Sequence, residues 1–116
     1  MKYEYKTEFL EVGGRNVLAI RLPQEIKLLE TFLFSDVSSR AGGGQWVLDA
    51  IDRVLEGTSE AEELTGNVCT LEIGREVTRV TDSLADDGEG EACVIETPEL
   101  KELILIWLNE KEKAGA

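Results

Sequence analysis

The chain carries little of the chemistry that enzymes use, because none of its 116 residues is a histidine. Without an imidazole there is no Ser–His–Asp or Cys–His nucleophile, no histidine-ligated metal and no usual general base. The two cysteines, Cys69 and Cys93, lie in apolar runs, where burial raises the pKa of a thiol and makes it inert. We therefore expect a chain that is not an enzyme and that has no catalytic residue, no metal and no cofactor.

The redox state of the two cysteines stays open between two alternatives. In a cytosolic chain, two reduced and buried thiols are the default. Both cysteines fall in predicted strands that could be neighbours, so a disulfide is the other alternative. Two thiols without a histidine do not make a zinc site of the usual kind.

Three consecutive glycines, Gly42, Gly43 and Gly44, precede a predicted helix. A glycine-rich loop at a helix N-terminus is able to hold a phosphate group. The lysine and the Ser/Thr of a Walker motif are missing, however, and no G-x-G-x-x-G pattern is present. These glycines therefore predict a flexible loop before an ordinary helix.

A dense acidic segment covers residues 82–91 and allows four interpretations. A calcium site would suit clustered carboxylates, but their spacing differs from that of an EF-hand loop. Paired carboxylates for glycoside chemistry would need a raised pKa, for which a solvated loop offers no cause. A plain solvated loop and a contact surface for a cationic partner are the other two. The acids of this segment are Asp82, Asp86, Asp87, Glu89 and Glu91.

The net charge of −12 is concentrated in the second half of the chain. Residues 57–116 contain 15 acids and five bases, whereas residues 1–56 contain nine acids and seven bases. Such a negative field repels nucleic acid and anionic membranes and attracts a basic protein. The simpler explanation of the acidic composition is that it keeps the protein soluble. Because the chain shows neither a signal peptide nor a membrane span, we expect it in the cytoplasm.

The first half of the chain predicts a hairpin followed by helices. Gly13-Gly14 separates two apolar runs within the first 22 residues, which is typical of a β-hairpin turn. Residues 24–34 fit either a short helix, which Pro23 would begin, or an apolar strand, and we favour the helix. Residues 45–56 have the apolar spacing of an amphipathic helix.

The second half predicts strands and a long terminal helix. Thr97 is the expected N-cap of that helix, with Pro98 at its first position. The order of elements indicates a single α+β domain over residues 1–116, with a mostly antiparallel sheet and two to three helices packed on one face. The predicted segments are a connector at 58–64, strands at 67–73, 76–81 and 92–96, and a helix to about residue 113.

The two tryptophans have different expected roles. Trp107 lies on the apolar face of the last helix and is expected in the core. Trp46 opens the middle helix, and it either anchors that helix to the sheet or is exposed as an interface aromatic.

The second half also resembles a known family. Residues 66–73 (GNVCTLEI), a following Val/Thr-rich strand, an acidic stretch and residues 95–104 (IETPELKELI) with Trp107-Leu108 resemble small bacterial immunity proteins, as does the helix end at residues 49–57 (DAIDRVLEG). These proteins neutralise polymorphic toxins, including nucleases of contact-dependent growth inhibition. The resemblance implies specific inhibition of a cognate toxin domain in the producing cell, and it transfers no site residue.

An acidic inhibitor suits such a partner, because a nuclease cleft that holds RNA or DNA is basic. We predict an immunity protein that blocks the cleft of a toxin C-terminal domain and that binds neither nucleic acid nor membrane. The alternative is an acidic adaptor or regulatory domain without a toxin partner. The predicted contact residues are Asp86, Asp87, Glu89, Glu91, Glu60, Glu62, Glu63 and Trp46.

Overall fold

Two antiparallel sheets and three α-helices form the structure, a computed structural model that describes residues 1–83 and 92–114. The predicted α+β class with antiparallel strands is confirmed, but the strands divide into a two-stranded sheet and a four-stranded sheet. The elements are β1 (Lys6–Val12), β2 (Arg15–Arg21), a 3₁₀ turn (Gln24–Ile26), α1 (Leu28–Asp36), α2 (Gly44–Leu55), β3 (Glu62–Thr65), β4 (Cys69–Ile73), β5 (Val77–Asp82), β6 (Ala92–Glu96) and α3 (Thr97–Lys113).

Strands β1 and β2 form the predicted hairpin around Gly13 and Gly14. Both glycines have positive φ, 57° and 78°, which is the backbone that a two-residue turn of this kind requires. The register pairs Val12 with Arg15 and runs without interruption to Lys6 and Arg21.

Residues 24–34 are helical, as favoured, and not an apolar strand. The chain makes a 3₁₀ turn after Pro23 and then enters α1. Leu29, Phe32 and Leu33 of α1 are almost completely buried, and α1 contacts both β2 and β5. Helix α1 therefore joins the hairpin to the larger sheet.

The four-stranded sheet has the order β3-β4-β5-β6, and every neighbouring pair is antiparallel. Strands β4, β5 and β6 were predicted. Strand β3 was not, because residues 58–64 were expected to be a connector. Only Leu64 of β3 is buried, so this edge strand lacks the alternating apolar pattern by which strands are predicted.

All three helices contact the same sheet and share one core with it. Trp107 of α3 is in that core, as predicted, with 1% of its surface exposed, and its indole N–H donates to the Val37 carbonyl over 2.7 Å. No helix in the described part of the chain is long and apolar enough to cross a membrane.

The predicted N-cap of α3 is wrong by one residue. Glu96 precedes the helix, and Thr97 is its first residue. The Thr97 side chain is buried and donates to the Gly74 carbonyl, while the hydroxyl of Thr78 on β5 lies 2.9 Å away. The threonine therefore fastens α3 to the sheet rather than capping its N–H groups.

The two cysteines are free thiols on strands that are not neighbours, since β5 separates β4 from β6. The disulfide alternative is therefore excluded in this structure. Burial, followed by the nearby carboxylates of Asp36 and Asp82, raises the pKa of the Cys69 thiol to about 12. This agrees with the prediction of an inert thiol.

Candidate functional site

One face of the four-stranded sheet has no described element packed on it. Successive strand residues point to opposite faces, so the residues between the buried ones form a single solvent-facing surface, which we call the open sheet face. Val77 and Val94 on this face are 48% and 52% exposed. The open sheet face consists of Glu63, Thr65, Thr70, Glu72, Val77, Arg79, Thr81, Ala92 and Val94, while Glu96 at the end of β6 is bound by Lys2 and Tyr3.

Two glutamates lie directly opposite each other on the open sheet face. The register pairs Glu63 of β3 with Glu72 of β4, and it pairs Glu72 with Arg79 of β5. Both glutamates are exposed, and neither forms an ion pair within the described residues. Like charges directly opposite each other on neighbouring strands destabilise a sheet, and Arg79 offsets this repulsion on one side of Glu72 only, so Glu63 is without an opposite charge across the strands.

A shallow depression of about 460 Å³ lies over this glutamate pair. Its wall combines carboxylates with apolar groups, and Arg79 is its single base. The lining therefore offers a cationic side chain both negative charge and apolar contact. The lining residues are Ala61, Glu62, Glu63, Glu72, Ile73, Gly74, Val77 and Arg79.

The structure separates the three predicted glutamates of the connector. Glu60 is exposed, and Glu63 lies on the open sheet face. Glu62 is half-buried and bound within the chain, since it accepts from Arg53 at 3.0 Å and from the Ser59 hydroxyl at 2.6 Å. The hydrogen bond from Arg53, and then that from Ser59, lowers the pKa of the Glu62 carboxyl. Glu62 is therefore the least available of the three to an outside partner.

Trp46 is 48% exposed, which favours the interface interpretation over that of an anchor to the sheet. It lies in the first turn of α2, two helical turns before Arg53, and residues seven apart share a side of a helix. Because Arg53 contacts Glu62 of β3, this side of α2 borders the edge of the sheet. Trp46 and the open sheet face are therefore separated by that edge strand.

The other four predicted contact residues, Asp86, Asp87, Glu89 and Glu91, lie outside the described residues. The calcium, paired-carboxylate and contact-surface interpretations of that segment therefore stay predictions. Among the described residues, no group of three or more cysteines and carboxylates is arranged to hold a metal ion.

The glycine loop before α2 is closed by its own hydrogen bonds. The N–H groups of Gly44 and Gln45 donate to the carbonyls of Ser39 and Arg40. Gly43 has φ of 105°, and a Cβ there would lie 2.2 Å from the Asp36 carbonyl oxygen. The glycines therefore allow a tight backbone crossing, and these helix N–H groups are not free to hold a phosphate.

Sequence reasoning missed Glu72 and the row that it forms with Glu63. The two residues are nine positions apart, and their pairing depends on β3, which was not predicted. The signal that was present is the alternation of Leu71, Glu72 and Ile73, which places a single charge on the outward side of β4.

Comparison with known proteins identifies the family. No family model matches the chain, and no solved structure matches it. A curated protein of Bacillus cereus named "Immunity protein" is 47% identical to it over 113 residues. The alignment covers 97% of this chain and 92% of the relative, so it includes the whole four-stranded sheet and all three helices. The chain belongs to the family of this immunity protein.

Proposed function

We propose that the chain is a cytoplasmic immunity protein that binds a cognate toxin C-terminal domain, a basic nuclease, and neutralises it by blocking its active cleft. The observation that carries this proposal is the alignment, over nearly the full length and at 47% identity, with a protein named as an immunity protein. The net charge of −12 supports a basic partner, and the same charge disfavours binding to nucleic acid or to an anionic membrane.

The open sheet face is the described surface that fits this partner best. Its paired Glu63 and Glu72 are exposed and lack ion pairs in the described part of the chain. A lysine or arginine of the toxin placed between them would relieve the repulsion that Arg79, on the other side of Glu72, leaves uncompensated. Val77 and Val94 add exposed apolar surface, so the contact with the toxin would not depend on charges alone.

The same charges that bind a nuclease also exclude its substrate. A nuclease cleft is positive because it holds a polyanionic backbone, so a carboxylate-bearing surface occupies the potential that RNA or DNA would use. Electrostatic steering brings association rates up to about 10⁸ M⁻¹s⁻¹ at low salt. Fast capture suits an inhibitor that must reach the toxin before its substrate does.

The proposal predicts a toxin gene next to the gene of this chain, and the C-terminal domain of that toxin is the partner to test. Co-expression of the chain is expected to restore growth of cells that produce the toxin domain. In the double variant Glu63→Gln/Glu72→Gln, loss of two charges is expected to slow association about three- to tenfold at low salt and much less at high salt.

The matched control is Glu11→Gln/Glu112→Gln, which removes two exposed carboxylates on β1 and α3, outside the four-stranded sheet. Its association rate is expected to fall less than that of the sheet-face variant. Equal slowing in both variants would contradict the assignment of this face, while rescue of growth would still support the immunity function. Failure of the wild-type chain to restore growth would contradict the function itself and favour the adaptor alternative.

A further inference from the structure

Strand β1 has an unpaired edge along its full length. It pairs with β2 on one side, and no other described strand joins this two-stranded sheet. Helix α1 contacts β2, and Leu18, Ala19 and Ile20 of β2 are buried, so the opposite edge of the hairpin is less accessible than that of β1. The described backbone hydrogen bonds outside the strands and helices include none to Thr7, Phe9 or Glu11.

The register identifies which backbone groups point away from β2. A two-residue turn closes on a pair that exchanges both backbone hydrogen bonds, which here is Val12 with Arg15. Hydrogen-bonded pairs then recur at every second residue of β1. The N–H and C=O groups of Thr7, Phe9 and Glu11 therefore point outward along the free edge.

This edge also carries exposed apolar side chains. Phe9 is 60% exposed and Val12 is 54% exposed, the highest values among the large apolar residues of the described chain. A long unpaired edge strand is a template for another strand, and proteins usually cover such an edge, interrupt it or place charges on it, as Lys6, Glu8 and Glu11 do here. The edge of β1 is seven residues long and contains no proline.

A second copy of β1 fits this edge in one antiparallel register. With a two-fold axis at Phe9, all three outward-pointing residues find partners, giving about six hydrogen bonds between the copies. No like charges then lie directly opposite each other. In this register Phe9 is opposite Phe9, Thr7 is opposite Glu11, Glu8 is opposite Leu10, and Lys6 is opposite Val12.

Neighbouring registers are worse. An axis at Glu8 or at Glu11 places two glutamates directly opposite each other, which destabilises a sheet. An axis at Leu10 leaves Thr7 without a partner and sets the Phe9 ring against Glu11 instead of a second ring. Among these registers, the one centred on Phe9 pairs all three outward-pointing residues of β1 without placing like charges opposite each other.

We propose that two copies of this chain associate through the free edges of β1, joining their hairpins into one four-stranded antiparallel sheet with Phe9 at the two-fold axis. The interface is small, so the dimer is a weak one that dissociates on dilution. The open sheet face belongs to the other sheet and stays free in the dimer. The inference therefore goes beyond the toxin-binding proposal and does not depend on it.

Sedimentation velocity tests the dimer over about a hundredfold range of protein concentration. The wild-type chain is expected to shift from monomer to dimer as concentration rises. Phe9→Lys places two like charges at the axis and is expected to raise the dissociation constant about tenfold or more. The control is Phe34→Lys, the same change at a 46% exposed residue of α1, which is expected to dimerise like the wild type.

Cysteine cross-linking tests the register. With Phe9→Cys the two Cα atoms would be about 5.5 Å apart, within the range of a disulfide. With Thr7→Cys they would be about 14 Å apart, because the two residues are offset by four positions along neighbouring strands. Oxidation is therefore expected to link Phe9→Cys dimers and not Thr7→Cys dimers, with the wild-type chain as the background for Cys69 and Cys93.

The outcomes separate this inference from the proposed function. A wild-type chain that stays monomeric at every concentration would overturn the dimer, as would equal cross-linking at both cysteine positions. Growth rescue by Phe9→Lys is expected to equal that of the wild type. If the wild type is monomeric and Phe9→Lys loses toxin binding, the edge serves the toxin and the dimer proposal is wrong.

Discussion

Asp36, the last residue of α1, organises the start of β4 through its side chain. Its carboxylate accepts the backbone N–H groups of Asn67, Val68 and Cys69, at 2.9, 3.0 and 2.9 Å. A Cβ at position 66 would lie 2.7 Å from the same carboxylate, so Gly66 is needed for this approach. One side chain thus joins the end of a helix to the strand that carries Glu72.

Replacing Asp36 with alanine is expected to lower the free energy of unfolding by about 2–4 kcal/mol, because three N–H groups lose a charged acceptor. Asp36→Asn, which keeps one acceptor oxygen, is expected to lose about half as much. Urea denaturation measures both. The control Asp49→Ala, which removes an exposed carboxylate that accepts a hydrogen bond from the Gln45 amide and lies near Arg53, is expected to stay within about 0.5 kcal/mol. Similar losses at Asp36 and Asp49 would show that the carboxylate does not hold β4.

Sequence reasoning could not assign this role to Asp36. It follows an apolar run and precedes serines and glycines, so the local pattern shows only an acid near a loop. Its partners are 31 to 33 positions away, and nothing in the neighbouring residues encodes that distance. The core positions were easier, because the spacing of Leu100, Leu103 and Trp107 is itself the evidence for a buried helix face.

At the scale of elements, prediction succeeded where one residue pattern determines one structure. Gly13-Gly14 fixed the hairpin turn, and the apolar face of residues 45–56 fixed α2. Prediction failed at β3, because a strand with one buried residue shows no alternating apolar pattern. It also failed at Thr97, because threonine is a residue type that commonly caps helices. In both places a tertiary contact decides the structure, with β4 in one case and with Gly74 in the other.

The threonine pair between β5 and α3 gives an element-scale prediction. Because Thr97 donates to the Gly74 carbonyl, Thr78 is the donor in the bond between the two hydroxyls. Thr97→Val is expected to cost about 1–3 kcal/mol, since the buried Thr78 hydroxyl loses its acceptor and the half-buried Gly74 carbonyl loses this donor. Thr78→Val is expected to cost less, about 0.5–1.5 kcal/mol, because Thr97 keeps its bond to Gly74.

A double-mutant cycle measured by urea denaturation checks this coupling. The double variant is expected to be less destabilised than the sum of the single variants by about 0.5 kcal/mol or more. Additive losses would mean that the two hydroxyls act independently and that α3 is attached by apolar packing alone.

At the scale of the whole molecule, the sequence predicts the excess of acidic residues well, but it does not show where on the surface they lie. The composition alone gives the net charge of −12, and counting places most of it after residue 56. It does not show that Glu62 is bound to Arg53 while Glu63, the next residue, faces solvent opposite Glu72. That difference arises from strand geometry, which turns adjacent side chains to opposite faces.

Salt is expected to raise the stability of the free chain and to weaken the proposed complex with a basic toxin. A chain with twice as many acids as bases repels itself, and its exposed ion pairs are worth only about 0–1 kcal/mol each. Screening therefore removes more repulsion than attraction, and raising the salt from about 0.02 to 0.5 M is expected to raise Tm by about 2–5 °C. The same screening is expected to slow association with a basic toxin. Calorimetry measures the first effect and stopped-flow mixing the second.

A variant with fewer carboxylates tests whether the rise of Tm comes from screening of charge repulsion or from a general effect of salt on the burial of apolar surface. Four exposed carboxylates without ion pairs in the described chain are replaced by glutamine, which removes repulsion and leaves the core unchanged. The rise of Tm with salt is expected to fall by about half in this variant, and its Tm at low salt is expected to exceed that of the wild type. An unchanged salt response would show that self-repulsion is not what limits the free chain. The four substitutions are Glu60→Gln, Glu63→Gln, Glu72→Gln and Glu76→Gln.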